Sequence, residues 1–239
     1  MRTLGIIGGI SWAATERYYR IINTEVQKRV GPACSAPLII DSLNACDLNR
    51  LSSEEEWDRA AQTLIASARR LEAAGASALL IAANSMYKVA DRVAASVAIP
   101  LLHIVDPVGE AMKARGIKTA ALLGTSNVMT ERWYRQRLVS HGVSLVPADP
   151  ALVQKLDRII YDELMLGVVN RSSERELKTI ITQWDQRDVD GVALAATELS
   201  MLVDIDANVL PIFDSATLHA MEGVDWILGE TAQAVVAAE

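Results

Sequence analysis

The sequence predicts an α/β protein built as two pseudo-symmetric, Rossmann-like lobes, each a parallel sheet flanked by helices, with a ligand cleft between them. Three observations carry that expectation. Short apolar runs alternate with amphipathic helical stretches along the chain, the pattern of parallel strands joined by helical crossovers. Thr15-Glu16-Arg17-Tyr18-Tyr19-Arg20 recurs 115 residues later as Thr130-Glu131-Arg132-Trp133-Tyr134-Arg135. One small-and-polar pattern also occurs twice, as Ala82-Ala83-Asn84-Ser85 and Ala195-Ala196-Thr197-Glu198, each directly after an apolar run.

The expected strands are 4–8, 37–42, 78–82, 101–104, 119–123 and 192–195, with the thinnest pattern at 143–146. Ser53 with Glu56 and Ser173 with Glu176 have the spacing of capping boxes, which open helices. Gly75, Gly116, Gly142 and Gly167 follow helical stretches, where a residue that tolerates positive φ closes the last turn. Gly9 maps onto Gly124 at the repeat offset. Ala83 and Ala196, and Pro100 and Pro211, follow at slightly smaller offsets. The expected division is 1–98 plus 212–239 as the N-terminal lobe and 99–211 as the C-terminal lobe.

Composition narrows the function classes. Of 239 residues, 51% are hydrophobic but only 5% aromatic, so the core is aliphatic and alanine-rich. The net charge of −7 with no basic block argues against nucleic acid as a partner. No apolar run is long enough to span a bilayer. Cys34 and Cys46 make no disulfide framework, and with no leader-like start a cytoplasmic setting is expected. His103, His141 and His219 lack metal-ligand spacing, so no metal is expected.

Ligands of open parallel sheets collect outside the carboxyl ends of the strands, where both copies of the polar pattern fall. Gly8-Gly9-Ile10-Ser11 precedes the Thr15 helix, and backbone amides at such a turn can approach a carboxylate. Gly124-Thr125-Ser126-Asn127 is the second copy. The glycine spacing of Gly8-Gly9-Ile10-Ser11 is not that of a dinucleotide fingerprint. Asn84, Ser85, Thr197 and Glu198 offer short hydrogen-bonding groups, although Ser85 and Thr197 could equally cap helices. His103 reads as a structural histidine in an apolar strand. His219 follows a strand end and could reach the cleft. Tyr87 and Lys88 read as surface or cleft-rim residues. Glu54-Glu55-Glu56 reads as a solvated helix start, and Asp41 and Asp47 remain ambiguous.

The run Gly5-Ile6-Ile7-Gly8-Gly9-Ile10-Ser11-Trp12, the segment Asn84-Ser85-Met86-Tyr87-Lys88-Val89-Ala90-Asp91, Gly124-Thr125, Thr197-Glu198 and Asp214-Ser215-Ala216 stand in an order that resembles the aspartate/glutamate racemase family over nearly the whole chain. Tyr87 departs from the histidine common in that family. The resemblance implies interconversion of L- and D-amino acids without pyridoxal phosphate or metal, hence no cofactor. In the implied mechanism one cysteine thiolate removes the α-proton and a second thiol protonates the carbanion from the opposite face.

Positions 83 and 196 correspond by that resemblance to the two cysteines, and both are alanine here. The resemblance places Gly9, Ile10, Asn84, Ser85, Thr125, Ser126, Thr197, Glu198 and His219 around a dicarboxylic amino acid such as aspartate or glutamate. It also allows a homodimer. A chain lacking both proton carriers is expected to bind but racemise little. The joint loss of two motif thiols, with Cys34 and Cys46 retained, points to replacement of native cysteines. The competing reading is a natural binding or regulatory protein of the same fold, and a third is a related isomerase or decarboxylase with a single general acid.

Overall fold

The computed structural model describes residues 1–230. The described residues form two units: 1–103 with 219–230, and Ile104–Leu218. In the first, β1 (Leu4–Gly8), β2 (Leu38–Ser42) and β3 (Ala78–Ile81) pair in parallel in the order β2-β1-β3. Helix α1 (Trp12–Val30) joins β1 to β2. It starts because Ser11 accepts the Ala14 N–H at 3.3 Å, and it buries Ala14, Tyr18, Ile22 and Val26, a spacing of one helical turn. Helix α2 (Glu54–Ala73) joins β2 to β3. Its capping box between Ser53 and Glu56 is fully formed, and Gly75, with φ +97°, follows its end. A 3₁₀ turn over Ser85–Val89 and helix α3 (Ala90–Ala94) follow β3.

The second unit begins at α4 (Asp106–Ala114). Its strands β4 (Thr119–Gly124), β5 (Ser144–Leu145), β6 (Gly191–Ala195) and β7 (Ile212–Asp214) form a parallel sheet in the order β5-β4-β6-β7. Helices α5 (Ser126–Thr130) and α6 (Arg132–Ser140) link β4 to β5. Helices α7 (Pro150–Arg158) and α8 (Arg171–Asp185) lie between β5 and β6. The core is aliphatic, built from Leu123, Val192 and Leu194 of the sheet against Leu156, Leu177 and Ile181 of α7 and α8. Helix α9 (Ser215–Leu228) begins in the second unit and continues from His219 in the first.

Several expectations change. The run 101–104 makes no strand: it gives a single bridge, Leu101 to Leu79, flanked by Leu79 N–H to Pro100 O and Leu102 N–H to Leu79 O, both 2.8 Å. That tie keeps residues 99–103 with the first unit. The later boundary moves from 212 to 219 because Ile212–Asp214 extends the second sheet as β7. Helix α8 starts at Arg171, not after Ser173, whose hydroxyl is buried and donates to Glu163 Oε2 at 2.7 Å.

The sequence repeat also slips. Helix α1 is continuous through Thr15–Arg20, whereas Glu131 is extended (φ −80°, ψ 157°) and separates α5 from α6. The fully buried tyrosine matching Tyr18 is therefore Tyr134, one residue past its alignment partner Trp133. Gly124 closes β4 as Gly8, rather than Gly9, closes β1.

Candidate functional site

In the first unit the carboxyl ends of neighbouring strands β1 and β3 carry the expected turns. Gly9 is glycine for two internal reasons. Its φ is +80°, and a Cβ there would lie 2.1 Å from the Leu43 carbonyl oxygen. Its N–H donates to Thr15 Oγ1 at 2.8 Å, and that hydroxyl donates to Ser11 O at 3.0 Å. The Gly9 amide is thus committed to holding the turn, which corrects the expectation that it faces a carboxylate. Ile10 is buried with the core residues.

Across on β3, the Ala82 N–H still pairs with Ile7 O at 2.9 Å, and Ala83 is the first residue beyond the ladder. Ala83 is 9% and Asn84 4% exposed. Asn84 occupies the cap position of the 3₁₀ turn yet makes no capping bond, and neither its Nδ2 nor its Oδ1 has a hydrogen-bond partner in the protein. A buried amide of this kind calls for one. Ser85 is half-buried.

His219 belongs to a buried network, not to an open surface. It is 0% exposed. Nε2 lies 3.1 Å from both Leu102 O and the Tyr87 hydroxyl, and Nδ1 lies 2.9 Å from the Tyr18 hydroxyl. Leu102 O can only accept, so Nε2 carries a proton. In the neutral ring Nδ1 then accepts from Tyr18. Both ring nitrogens are engaged by protein groups, which corrects the expectation that His219 touches substrate.

Tyr87, expected at the surface or cleft rim, is 2% exposed. Its hydroxyl donates to Leu102 O at 2.8 Å, accepts the Ile81 N–H at 3.1 Å, and its ring packs on His103 at 4.7 Å between centroids. Lys88 is half-buried over the Trp57 ring. Asp41 is structural, accepting from Ser67 at 2.6 Å and from Arg70.

In the second unit β4, β6 and β7 are neighbours, so their carboxyl ends bring Thr125, Ala196 with Thr197, and Asp214 with Ser215 to one edge of the sheet. All five are buried. Ala196, 5% exposed, is extended (φ −144°, ψ 126°) and precedes the 3₁₀ turn Thr197–Met201. Glu198 is half-buried. The Thr125 hydroxyl donates to Asn127 Oδ1 at 2.5 Å. The Ser126 N–H donates to Asp157 Oδ1 at 2.8 Å, so a carboxylate of the protein occupies the place expected for a ligand's. Asp157 on α7 carries no signal in the sequence near that turn.

Asp214 Oδ2 accepts the Thr217 hydroxyl at 2.5 Å and its N–H at 3.3 Å, opening α9. The Tyr134 hydroxyl and Ser215 Oγ are buried without a hydrogen-bond partner in the protein. Burial, and secondarily the Asp214 charge, pushes the Tyr134 phenol well above its ordinary pKa. Cys34 and Cys46 lie between α1 and α2, away from both alanines in sequence, and neither is in a disulfide. Among the described residues no three His, Cys, Asp or Glu side chains could hold a metal ion, and no helix is long and apolar enough to cross a membrane.

The model of the Asp/Glu/Hydantoin racemase family matches this chain over residues 7–223. The chain belongs to that family. Its fold agrees with solved racemase-family structures. A candidate Asp/Glu racemase from Yersinia pestis is 36% identical with a TM-score of 0.87, covering 95% of this chain and all of that one. An aspartate racemase homologue from Pyrococcus horikoshii OT3 is 30% identical with a TM-score of 0.82, at the same coverage. An aspartate racemase from Picrophilus torridus, 18% identical over 96% of this chain and 95% of that one, shares the fold with a TM-score of 0.73. By family the protein is therefore an isomerase of the amino-acid racemase type.

Proposed function

We propose that this chain is the scaffold of a cofactor-independent racemase for a dicarboxylic amino acid of the aspartate or glutamate type, and that alanine at 83 and 196 leaves it able to bind such a ligand but barely able to racemise it. Two-base racemisation needs a proton acceptor on one face of the α-carbon and a donor on the other. A methyl group does neither. The single observation carrying the reading is Asn84: a buried amide, directly after Ala83, with donor and acceptor both unmatched by the protein. A zwitterion's carboxylate and ammonium groups would satisfy the two atoms.

The bonds at Gly9, Thr125 and Ser126 leave Asn84 and Ser85 as the proposed contact residues of the first unit, and Thr197 and Glu198 as those of the second. His219 becomes a positioning residue acting through Tyr87. Cysteine at positions 83 and 196 is, on this reading, the native state. A homodimer is also proposed, with light scattering on the eluted protein as its check.

The test is α-proton exchange in deuterated water, followed by NMR on L- and D-aspartate and L- and D-glutamate. Saturable binding by calorimetry is expected, at least tenfold weaker in Asn84→Ala, with exchange at the uncatalysed rate. Rapid exchange by the chain as it stands overturns the proposal.

A further inference from the structure

The second unit contains a cavity of about 350 Å³ that none of Thr125, Ala196, Thr197, Asp214 or Ser215 lines. It opens beside the 146–149 turn, where α7 and α8 meet the β5 edge of the sheet. Its volume falls in the range of small-molecule pockets. Its lining combines the apolar side chains of Leu152, Ile180 and Trp184 with the cations Arg135 and Arg187.

The charges in that lining are unequally matched. Lys155, also in the lining, is paired with Glu176. Asp149 is spent on the start of α7, accepting the Ala151 N–H at 2.8 Å. Arg135 is half-buried, and its guanidinium donates only to main-chain carbonyls, Met129 O at 3.2 Å and Val146 O at 3.1 Å. Among the described residues neither Arg135 nor Arg187 has a carboxylate within ion-pair distance. Burial alone pulls the Arg135 pKa down, as expected of a desolvated cation without a counter-ion. Such a charge is costly to keep beside an apolar wall unless an anion joins it.

We propose that this cavity binds a small organic anion, with a flat apolar body against Trp184, Leu152 and Ile180 and a carboxylate or phosphate group facing Arg135 and Arg187. Arginine suits that task because its planar fork meets either oxyanion with two parallel hydrogen bonds. The site is separate from the proposed amino-acid site, and neither reading depends on the other.

Calorimetric titration of the whole protein with 1-naphthoate, 1-naphthyl phosphate and neutral 1-naphthalenemethanol tests it. One site per chain is expected for an anion, with the alcohol at least tenfold weaker. Binding should fall at least tenfold in Arg135→Gln and in Leu152→Trp, which fills the cavity, and stay unchanged in Asn84→Ala. Preference for the carboxylate or the phosphate identifies the head group. If Arg135→Gln fails to fold because two carbonyls lose their donor, Arg187→Gln with Leu152→Trp decides. Equal binding of the alcohol, loss of binding in Asn84→Ala, or binding unaffected by the cavity-filling variant overturns the proposal.

Discussion

Removing one oxygen at Tyr87 tests the first unit's internal logic. Along β3, amides alternate between two sides. The Ala82 N–H faces β1 through Ile7 O, while the Leu79 N–H faces Pro100 O on the other side. Ile81 therefore also points away from β1, at a level where no strand pairs with it, and its N–H is met by the Tyr87 hydroxyl at 3.1 Å. Tyr87→Phe leaves that buried N–H without its partner. Leu102 O keeps His219 Nε2 at 3.1 Å, so only one main-chain group is stranded. A stranded buried donor costs about 1–3 kcal/mol. In a chain of this size that corresponds to a fall of roughly 2–12 °C in the first unit's melting transition. Thermal unfolding by circular dichroism measures the shift, and amide hydrogen exchange at Ile81 shows whether the stranded group is the one identified. A shift below about 1 °C with unchanged Ile81 protection would refute the hydroxyl's role as a surrogate strand partner.

Two further perturbations separate local causes. Gly9→Ala meets both positive φ and the Leu43 backbone, so it should destabilise by more than about 2 kcal/mol, whereas Gly75→Ala, with open space around it, should cost only about 1 kcal/mol of conformational strain; urea denaturation of both variants compares them. Glu56 is held down to about 2 from 4.5 by the Ser53 and Ser52 backbone amides. The capping contribution should be complete above pH 4.5 and be lost as pH falls through about 2, so the melting-temperature difference between the parent and Glu56→Gln should shrink over that window, and a difference constant down to pH 2 would contradict the assignment.

Local signals in the sequence located the regular elements well. The buried run Leu4–Gly8, the Ser53 and Glu56 pair and the glycines at 75, 116 and 142 each express a nearest-neighbour rule, and the structure follows them. The misses share a different cause. Asp157 meets Ser126, and Tyr18 meets His219, only through tertiary packing that no spacing announces. The apolar run at 101–104 has strand composition but passes from one unit to the other, so it finds a single bridge. Ser173 mimicked a cap because Glu176 stands three residues on, yet its hydroxyl is committed to Glu163. The paired strand-end turns were legible because the same short pattern stands twice in the sequence; the internal bonds of Gly9 and Ser126 were not.

Racemisation by the paired variant Ala83→Cys/Ala196→Cys, assayed by α-proton exchange and by optical rotation with aspartate and glutamate, decides whether the two alanines stand where proton carriers belong. Ala82→Cys/Ala196→Cys serves as the register control, since Ala82 is still held in the ladder by Ile7. The variant with cysteines at 83 and 196 should invert one of these substrates, exchanging its α-proton as it does so, while either single variant leaves its optical rotation unchanged. A folded double variant that binds the amino acid yet leaves its α-proton untouched would contradict that expectation and favour a binding protein without turnover.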